Sequence, residues 1–327
     1  MSDWLIYRGS GHPHDGIDNL PEPPPWRRFD GAPALPTPTR PDTSFDRRLG
    51  LGGAGSAYRP SGDDVELINA ALYLRRPLLV TGAPGTGKST IPYSVARELG
   101  LGEVLTWPVV SRSTLMDGLY SYDAIGRLQD AQLGGSPDDL GRYIRLGPLG
   151  TALLPWERPR VLLIDEIDKS DVDLPNDLLN VLEEGQFGIP ELARAADRTP
   201  ETTVFTHDGR RATVRDGQVR CRAFPFVVLT SNGERDFPAP LLRRCLHLYL
   251  PPPDRERLAA MVRAHLGEEA ANSNEDLIDE FLARRDTQPL AVDQLLNALY
   301  LSAYSGDRSV TRERLADLLM QSLDQRG

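Results

Sequence analysis

The stretch GAPGTGKS, residues 82–89, decides the fold of this chain. It fits the pattern G-x-x-x-x-G-K-[ST] in full. It follows an apolar segment that predicts a strand (Pro77 to Thr81) and opens a segment that predicts a helix (Lys88 to Leu99). Glycines let such a loop curl until its N–H groups converge on a phosphate, which the positive end of the helix also attracts. In such a loop Lys88 reaches the β- and γ-phosphates and the Ser89 hydroxyl binds Mg²⁺. The predicted nucleotide-binding residues here are Gly82, Ala83, Pro84, Gly85, Thr86, Gly87, Lys88, Ser89 and Thr90.

A second motif, VLLIDE at residues 161–166, consists of four apolar residues followed by two carboxylates. Ligands bind at the carboxyl ends of buried parallel strands. Asp165 would there hold Mg²⁺, directly or through water, and Glu166 would orient or deprotonate the attacking water. An Asp-Glu pair can also simply start a helix. After a complete phosphate-binding loop we favour the catalytic interpretation, which predicts hydrolysis as well as binding.

Apolar segments alternate with helical patterns through the middle of the chain, and this alternation indicates a parallel sheet buried on both faces. We therefore predict an α/β fold, the three-layer αβα arrangement of a P-loop NTPase, for residues 58–252. After Pro251-Pro252-Pro253 the pattern becomes purely helical, so residues 253–327 predict a small all-helical lid domain. The five predicted strands are Pro77–Thr81, Val104–Trp107, Arg160–Asp165, Phe224–Thr230 and Cys245–Leu250, and the lid helices are at about 254–267, 274–285, 290–304 and 310–324.

Residues 1–57 form a proline-rich N-terminal extension. The segment from Pro21 to Asp42 is too dense in proline for a regular helix or a central strand, so extended chain is expected. Trp4, Tyr7 and Trp26 favour docking of the extension on a surface. A loosely ordered tail is the alternative.

The composition is that of an acidic protein, with 327 residues and a net charge of -10. A negative field disfavours nucleic acid and anionic membranes as partners. Cys221 and Cys245 suggest neither a disulfide framework nor a zinc site. No signal peptide and no long apolar run is visible, so the cytoplasm is the expected location.

These motifs resemble those of the AAA+ superfamily, and within it the MoxR-like branch with its dynein-related and McrB-like relatives. The resemblance covers about Tyr58 to Ala303. It implies that Tyr58 flanks the adenine and that Asn232 is a sensor contacting the attacking water or the γ-phosphate. One of Arg243 and Arg244 would be the arginine finger of the neighbouring subunit's site, and Arg244 fits slightly better. The simpler interpretations are a turn at Asn232-Gly233 and a solvated helix end at the two arginines.

Two insertions carry the resemblance further. The insert at 111–146 contains LYSYDAIGRLQDAQ, which predicts a hairpin and a helix, and in this branch such an insert faces the pore of a ring. A surface insertion without that role is the alternative. Residues 203–222 predict a second hairpin, with its turn at Asp208-Gly209, where this branch has its pre-sensor hairpin.

One position departs from the pattern of the family. The third lid helix should open with an arginine that contacts the γ-phosphate, but Leu290 or Ala291 stands there. Arg284 and Arg285 lie just upstream and could substitute. Whether the lid senses the γ-phosphate is therefore undecided by the sequence, and slow ATP hydrolysis would be consistent with it.

Three functions compete. The resemblance favours an ATPase that uses ATP and Mg²⁺, assembles as a homo-oligomeric ring of six, and remodels a protein partner, for example one with a von Willebrand factor A domain. A nucleic-acid motor of the restriction type is the second, and an ATP-gated oligomeric switch with little hydrolysis is the third. The best evidence for the motor is the arginine cluster at Arg210, Arg211, Arg215, Arg220 and Arg222.

Overall fold

The computed structural model describes residues 4–38, 60–133, 139–285 and 290–304 of the chain. Tyr58 and the helix predicted at 310–324 lie outside the described residues. The α-helices are α1 (Gly62–Leu74), α2 (Ile91–Glu98), α3 (Leu115–Leu119), α4 (Ala124–Gln132), α5 (Pro148–Ala152), α6 (Asp173–Glu184), α7 (Pro190–Ala193), α8 (Ala239–Arg244), α9 (Arg255–Leu266), α10 (Glu268–Asn272), α11 (Glu275–Arg285) and α12 (Val292–Tyr304).

The strands form two sheets, of five and six strands. They are β1 (Leu78–Thr81), β2 (Leu105–Pro108), β3 (Tyr120–Tyr122), β4 (Ile144–Leu146), β5 (Val161–Asp165), β6 (Gln186–Gly188), β7 (Glu201–Phe205), β8 (Arg211–Arg215), β9 (Gln218–Arg220), β10 (Phe226–Ser231) and β11 (Leu246–Tyr249). Each of the five strands predicted from apolar runs is present, with ends shifted by one or two residues.

The first sheet has the order β11-β1-β10-β5-β2, and all of its strands are parallel. Successive residues of β1 pack into different cores. Leu78 and Val80 join the helices α1 and α2, whereas Leu79 joins α5 and α6 on the other face. Both faces of the sheet are therefore covered by helices, as near-continuous apolar strands predict. The predicted α/β three-layer fold is confirmed.

The second sheet joins the two predicted insertions, in the order β3-β4-β7-β8-β9-β6. The insert at 111–146 supplies β3 and β4, which pair antiparallel on either side of α4. The hairpin of β7 and β8 turns at Asp208-Gly209, and β4 pairs with β7 at Arg145 and Phe205. The helix predicted in the insert is present as α4, but the hairpin predicted beside it is a pair of strands, β3 and β4, separated by that helix. The hairpin predicted at 203–222 is present, and sequence reasoning did not predict that both insertions share one sheet.

A buried ion pair fixes the tip of this hairpin to the core. The Arg160 side chain is fully buried before β5, and its NH1 lies 3.0 Å from Asp208 Oδ2. Burial opposes the charge on Asp208, but a hydrogen bond from Thr206 and the Arg160 guanidinium hold the pKa of this carboxyl below its ordinary value. Asp208 is therefore more than a turn residue.

Asp208→Ala is expected to destabilise the protein by about 3–5 kcal/mol, because it leaves the Arg160 guanidinium buried without its counter-ion. Urea unfolding followed by circular dichroism measures the change. Glu201→Ala is the matched control, since it breaks an exposed ion pair with Arg215 on the same hairpin, which contributes about 1 kcal/mol or less. Equal stability losses in the two variants would contradict the prediction.

Residues 4–38, called here the N-terminal strap, pack along the α/β domain. Tyr7 is fully buried and its hydroxyl lies 2.8 Å from Ser94 Oγ. The backbone N–H groups of Ile6 and Tyr7 both donate to the Asn69 side chain. Leu35 makes a parallel β-bridge with Trp156. The docked alternative is thus the correct one for the described part of the extension.

The lid packs its described helices, α9 to α12, around a core of their own that includes Leu258, Ile278, Phe281 and Leu295. Pro251 to Pro253 connect it to β11. The domain limits at 57/58 and 252/253 stay predictions. Within the described ranges, no helix combines the length and the apolar character needed to cross a bilayer.

Candidate functional site

The loop at 82–89 connects β1 to a single turn of 3-10 helix, Lys88–Thr90, which leads into α2. Its glycines are required by close approach as well as by backbone angles. A Cβ on Gly82 would lie 2.4 Å from the Leu250 carbonyl oxygen, and one on Gly85 would lie 2.8 Å from the lid's Val292 nitrogen. Gly85 also has a φ of +76°, which favours glycine. The loop can therefore lie between the sheet and the lid only without side chains at these positions.

Lys88 is buried at the centre of the loop. Its Nζ donates hydrogen bonds to the carbonyl oxygens of Gly82 (2.7 Å) and Ala83 (2.9 Å) and to Asn232 Oδ1 (2.8 Å). Burial lowers the pKa of Lys88, and the nearby carboxylates of Asp168, Asp165 and Glu166 oppose this shift. The ammonium is thus held between the phosphate-binding loop and the predicted sensor.

Lys88→Met is expected to weaken ATP binding by about 10- to 100-fold, since hydrogen bonds to a charged group contribute about 1.5–3 kcal/mol. Titration calorimetry with a slowly hydrolysed ATP analogue measures the affinity. Arg97→Met is the matched control, because it removes a charge near the far end of α2. Unchanged affinity in Lys88→Met would contradict the assignment of the loop.

Three hydroxyl and carboxylate groups meet opposite Lys88. Asp165 Oδ1 accepts hydrogen bonds from Ser89 Oγ (2.8 Å) and from Thr230 Oγ1 (2.6 Å). Thr230 is also the acceptor for the Glu166 N–H. Because the hydroxyl of Ser89 and the carboxylate of Asp165 are adjacent oxygen groups, the donor set fits Mg²⁺, which prefers oxygen ligands with several retained waters. Thr230 was missed by sequence reasoning, although its place at the end of the FPFVVLT strand is a usable signal.

Glu166 follows β5 with a left-handed backbone, φ 59°. Such a conformation is unfavourable for a residue with a Cβ and is concentrated at functional sites. Its carboxylate is half-exposed, and Oε2 lies 2.7 Å from Lys169 Nζ. Lys88 and Lys169 are the only lysines in the sequence. The predicted catalytic carboxylate thus has a cationic partner that sequence reasoning missed.

Asn232 lies directly after β10, where its side chain reaches Lys88. Asp168 fixes this position, since its Oδ2 accepts from the N–H groups of Asn232 (2.9 Å) and Glu234 (3.2 Å). The other oxygen, Oδ1, is buried and has no hydrogen-bond partner among the described residues. Asp168 lies just after β5, and it thereby holds the segment from Asn232 to Glu234, which follows the neighbouring strand β10.

One cavity of about 340 Å³ between the α/β domain and the lid is lined by Lys88, Ser89, Asp165, Glu166, Thr230 and Asn232. The lid contributes Met261, His265, Val292, Asp293 and Leu296. Burial lowers the pKa of His265, which favours the uncharged ring. No sequence motif marks this histidine. The lid wall of the cavity is mostly apolar.

The upstream lid arginines lie outside the described lining of the cavity. Arg284 pairs with Glu280 on its own helix, and Arg285 donates to the Pro253 carbonyl oxygen. Neither is among the described residues that line the cavity. The idea that one of them substitutes is therefore not supported by the arrangement. Asp293 is the charged side chain that α12 brings to the cavity.

Arg243 and Arg244 lie at the end of α8, and both are exposed. The described lining of the cavity includes neither of them. Arg244 Nε lies 3.2 Å from Glu183 Oε2, and its NH1 donates to the Pro240 carbonyl oxygen. Neither arginine therefore lies at the cavity of its own chain.

A P-loop nucleotide-binding domain with a helical lid is thus defined by the fold and by the site. Residues 77–245 match the sequence profile of the AAA domain, dynein-related subfamily, over half of the chain. The protein belongs to this family. No curated protein matches the chain.

Among solved structures, the chain is similar to NtrX from Brucella abortus in complex with ADP, with 15% identity and a TM-score of 0.40 over 76% of this chain and 52% of that one. It is also similar to a protein of Cytophaga hutchinsonii described as an ATPase, with 14% identity and a TM-score of 0.35 over 61% and 48%. The chain spans about half the length of these two proteins.

Proposed function

We propose that this protein is an ATP-hydrolysing AAA+ ATPase of the MoxR type, which acts as a ring and completes each catalytic site with an arginine of the neighbouring subunit. One observation carries the proposal. The cavity gathers Lys88, Ser89, Asp165 and Glu166, while Arg244 is exposed outside it. Among the described residues, the cavity of a single subunit therefore has a base and a phosphate-binding loop but no arginine for the transition state.

Each residue has a proposed task in hydrolysis. The loop N–H groups and Lys88 bind the β- and γ-phosphates, and Asn232 holds the γ-phosphate or the attacking water. Glu166 orients that water and accepts its proton, once its carboxylate turns from Lys169 toward the cavity. Ser89 and Asp165 would hold Mg²⁺, which would neutralise phosphate charge when bound.

The assembly and the partner extend this proposal. In a ring, a finger that acts in trans on every site requires a head-to-tail interface, and such an interface forms a ring when the rotation between subunits closes. We propose a ring of six subunits in the cytoplasm that remodels a protein partner, for example one with a von Willebrand factor A domain. The resemblance to the MoxR-like branch supports these choices. ATP is preferred to GTP for the same reason.

A nucleic-acid motor is the second candidate, and one observation favours it. The second sheet presents Arg145, Arg211, Arg215 and Arg220 on its exposed face, and two of them stack on Phe205 at about 5 Å. Arginines interleaved with an aromatic ring suit a nucleic-acid strand. The net charge of -10 opposes this candidate. An ATP-gated switch is the third candidate, and it is supported by the lack of arginine among the described lid residues that line the cavity.

The proposal is tested by phosphate release from ATP and from GTP at increasing protein concentration, with light scattering to measure the mass of the assembly. We expect the specific activity with ATP to rise as the assembly forms. Single-stranded and duplex DNA are added in parallel, and strong stimulation by either would favour the motor. ATP-dependent assembly without hydrolysis would favour the switch and contradict the proposal.

A further inference from the structure

We propose that the N-terminal strap is part of the arginine-finger machinery, because its Arg27 and the helix residue Glu183 together position Arg244. This inference rests on the proposed function, in which Arg244 acts on a neighbouring subunit. Arg27 and Glu183 are positioning residues in this account. Of these three residues, only Arg244 would touch the nucleotide.

Arg27 enters the α/β domain from the strap and is 4% exposed. Its guanidinium donates to the carbonyl oxygens of Arg75 (2.7 Å from NH2), Leu182 (3.0 Å) and Glu183 (2.8 Å). These carbonyls lie at the ends of α1 and α6, where the helix dipoles are negative. One strap residue thus caps two helices that are distant in sequence.

Two aromatic rings enclose the same guanidinium. Its Cζ lies 4.6 Å from the centre of the Phe224 ring and 5.0 Å from that of Phe29. Charged groups are buried at great cost unless their hydrogen bonds are made. Arg27 makes these hydrogen bonds with carbonyl oxygens at the ends of α1 and α6. If the strap left, these carbonyls would lose their partner.

Glu183 connects this anchor to Arg244. Its backbone oxygen accepts from Arg27, and its Oε2 lies 3.2 Å from Arg244 Nε and 3.8 Å from Arg27 NH1. The Arg244 guanidinium is also held through NH1 by the Pro240 carbonyl oxygen, at 3.4 Å. The contact with Glu183 uses Nε, and the contact with Pro240 uses NH1. Within the described residues no hydrogen bond engages NH2 of Arg244. This group is left to bind a phosphate oxygen of the nucleotide in the neighbouring subunit.

The ion pair between Glu183 and Arg244 is exposed, so its effect on the position of Arg244 can be distinguished from its effect on folding stability. The side chains of Glu183 and Arg244 are 47% and 45% exposed, and pairs of this kind contribute little to stability. Their value lies in reducing the conformations of a long side chain before it meets the transition state. Loss of the pair should therefore change turnover while leaving the fold and the nucleotide affinity nearly unchanged.

The test uses Glu183→Gln, which keeps the size of the side chain and removes its charge. We expect kcat to fall about tenfold and KM to change less than about twofold, as for an interaction that acts in the transition state. Glu184→Gln is the matched control on the adjacent, exposed residue. Arg27→Met is the strap variant, and Arg28→Met is its control, since Arg28 is exposed.

Mixed assemblies then identify the side of the interface that is impaired. Glu183→Gln subunits are assembled with Glu166→Gln subunits, which lack the base but retain the arginine. At equal amounts about one quarter of the interfaces combine an intact base with an intact arginine, if subunits assort randomly in a ring. Activity should rise above that of either variant alone, toward this fraction, and Arg27→Met should behave in the same way.

Two results would overturn the inference while leaving the proposed function intact. One is full activity of Glu183→Gln and Arg27→Met beside an inactive Arg244→Ala. The other is a loss of activity that mixing does not restore, which would indicate damage to the variant's own site or fold. If Arg244→Ala is as active as the wild-type protein, the proposed trans site fails, and this inference fails with it.

Discussion

Arg244→Ala is expected to hydrolyse ATP about 10³- to 10⁵-fold more slowly than the wild-type protein, because an arginine finger neutralises charge that develops in the transition state. Its affinity for ATP should stay within about twofold, since the residue does not reach its own subunit's cavity. Phosphate release and calorimetric titration measure the two quantities. Arg198→Ala is the control, as it removes another exposed arginine.

The same experiment on Arg243→Ala decides between the two adjacent arginines. The contact with Glu183 favours Arg244. Among the described residues no hydrogen bond or ion pair engages the Arg243 side chain, and only its backbone oxygen accepts from Arg76. The variant with the larger loss of kcat identifies the finger. If both variants retain full activity at concentrations where the assembly forms, no arginine from α8 acts in trans.

Glu166→Gln should lower kcat by about 10² to 10⁴, the usual contribution of a positioned general base. ATP binding should persist, because the amide keeps the shape of the side chain and the phosphate contacts of Lys88 are not touched. Removing the carboxylate also releases Lys169, which is exposed and should stay charged. The rate is measured at saturating ATP.

Glu184→Gln serves as the control for this variant, since it neutralises an exposed carboxylate outside the cavity. A wild-type rate no greater than that of Glu166→Gln would remove the basis for a motor. The nucleotide-gated switch would then be the better account, and ATP would act through assembly alone.

The parts of the site that sequence reasoning predicted share a local origin. The loop at 82–89 and the carboxylates after β5 are short motifs at the ends of apolar strands, where the parallel order of the sheet brings them together. Asn232 was predicted by resemblance, and the structure brings it within 2.8 Å of Lys88 Nζ. The roles of these residues stay predictions until variants are measured.

What sequence reasoning missed depends on contacts between distant segments. Nothing local marks Arg27 as a cap for two helices, because the residues whose carbonyl oxygens it binds lie 48, 155 and 156 positions away in the sequence. The same holds for Arg160 and Asp208, whose pairing requires the hairpin to fold onto β5. His265 has no motif, and its place in the cavity follows from the docking of the lid.

The most direct test of the central claim is ATP hydrolysis by mixtures of two inactive variants, Arg244→Ala and Glu166→Gln. Each should be nearly inactive by itself, since one lacks the arginine at every interface and the other lacks the base in every cavity. An equal mixture should recover up to about one quarter of the wild-type rate, from interfaces that unite both groups. If mixed assemblies form and bind ATP but show no recovered hydrolysis at any ratio, the catalytic site is not shared between subunits.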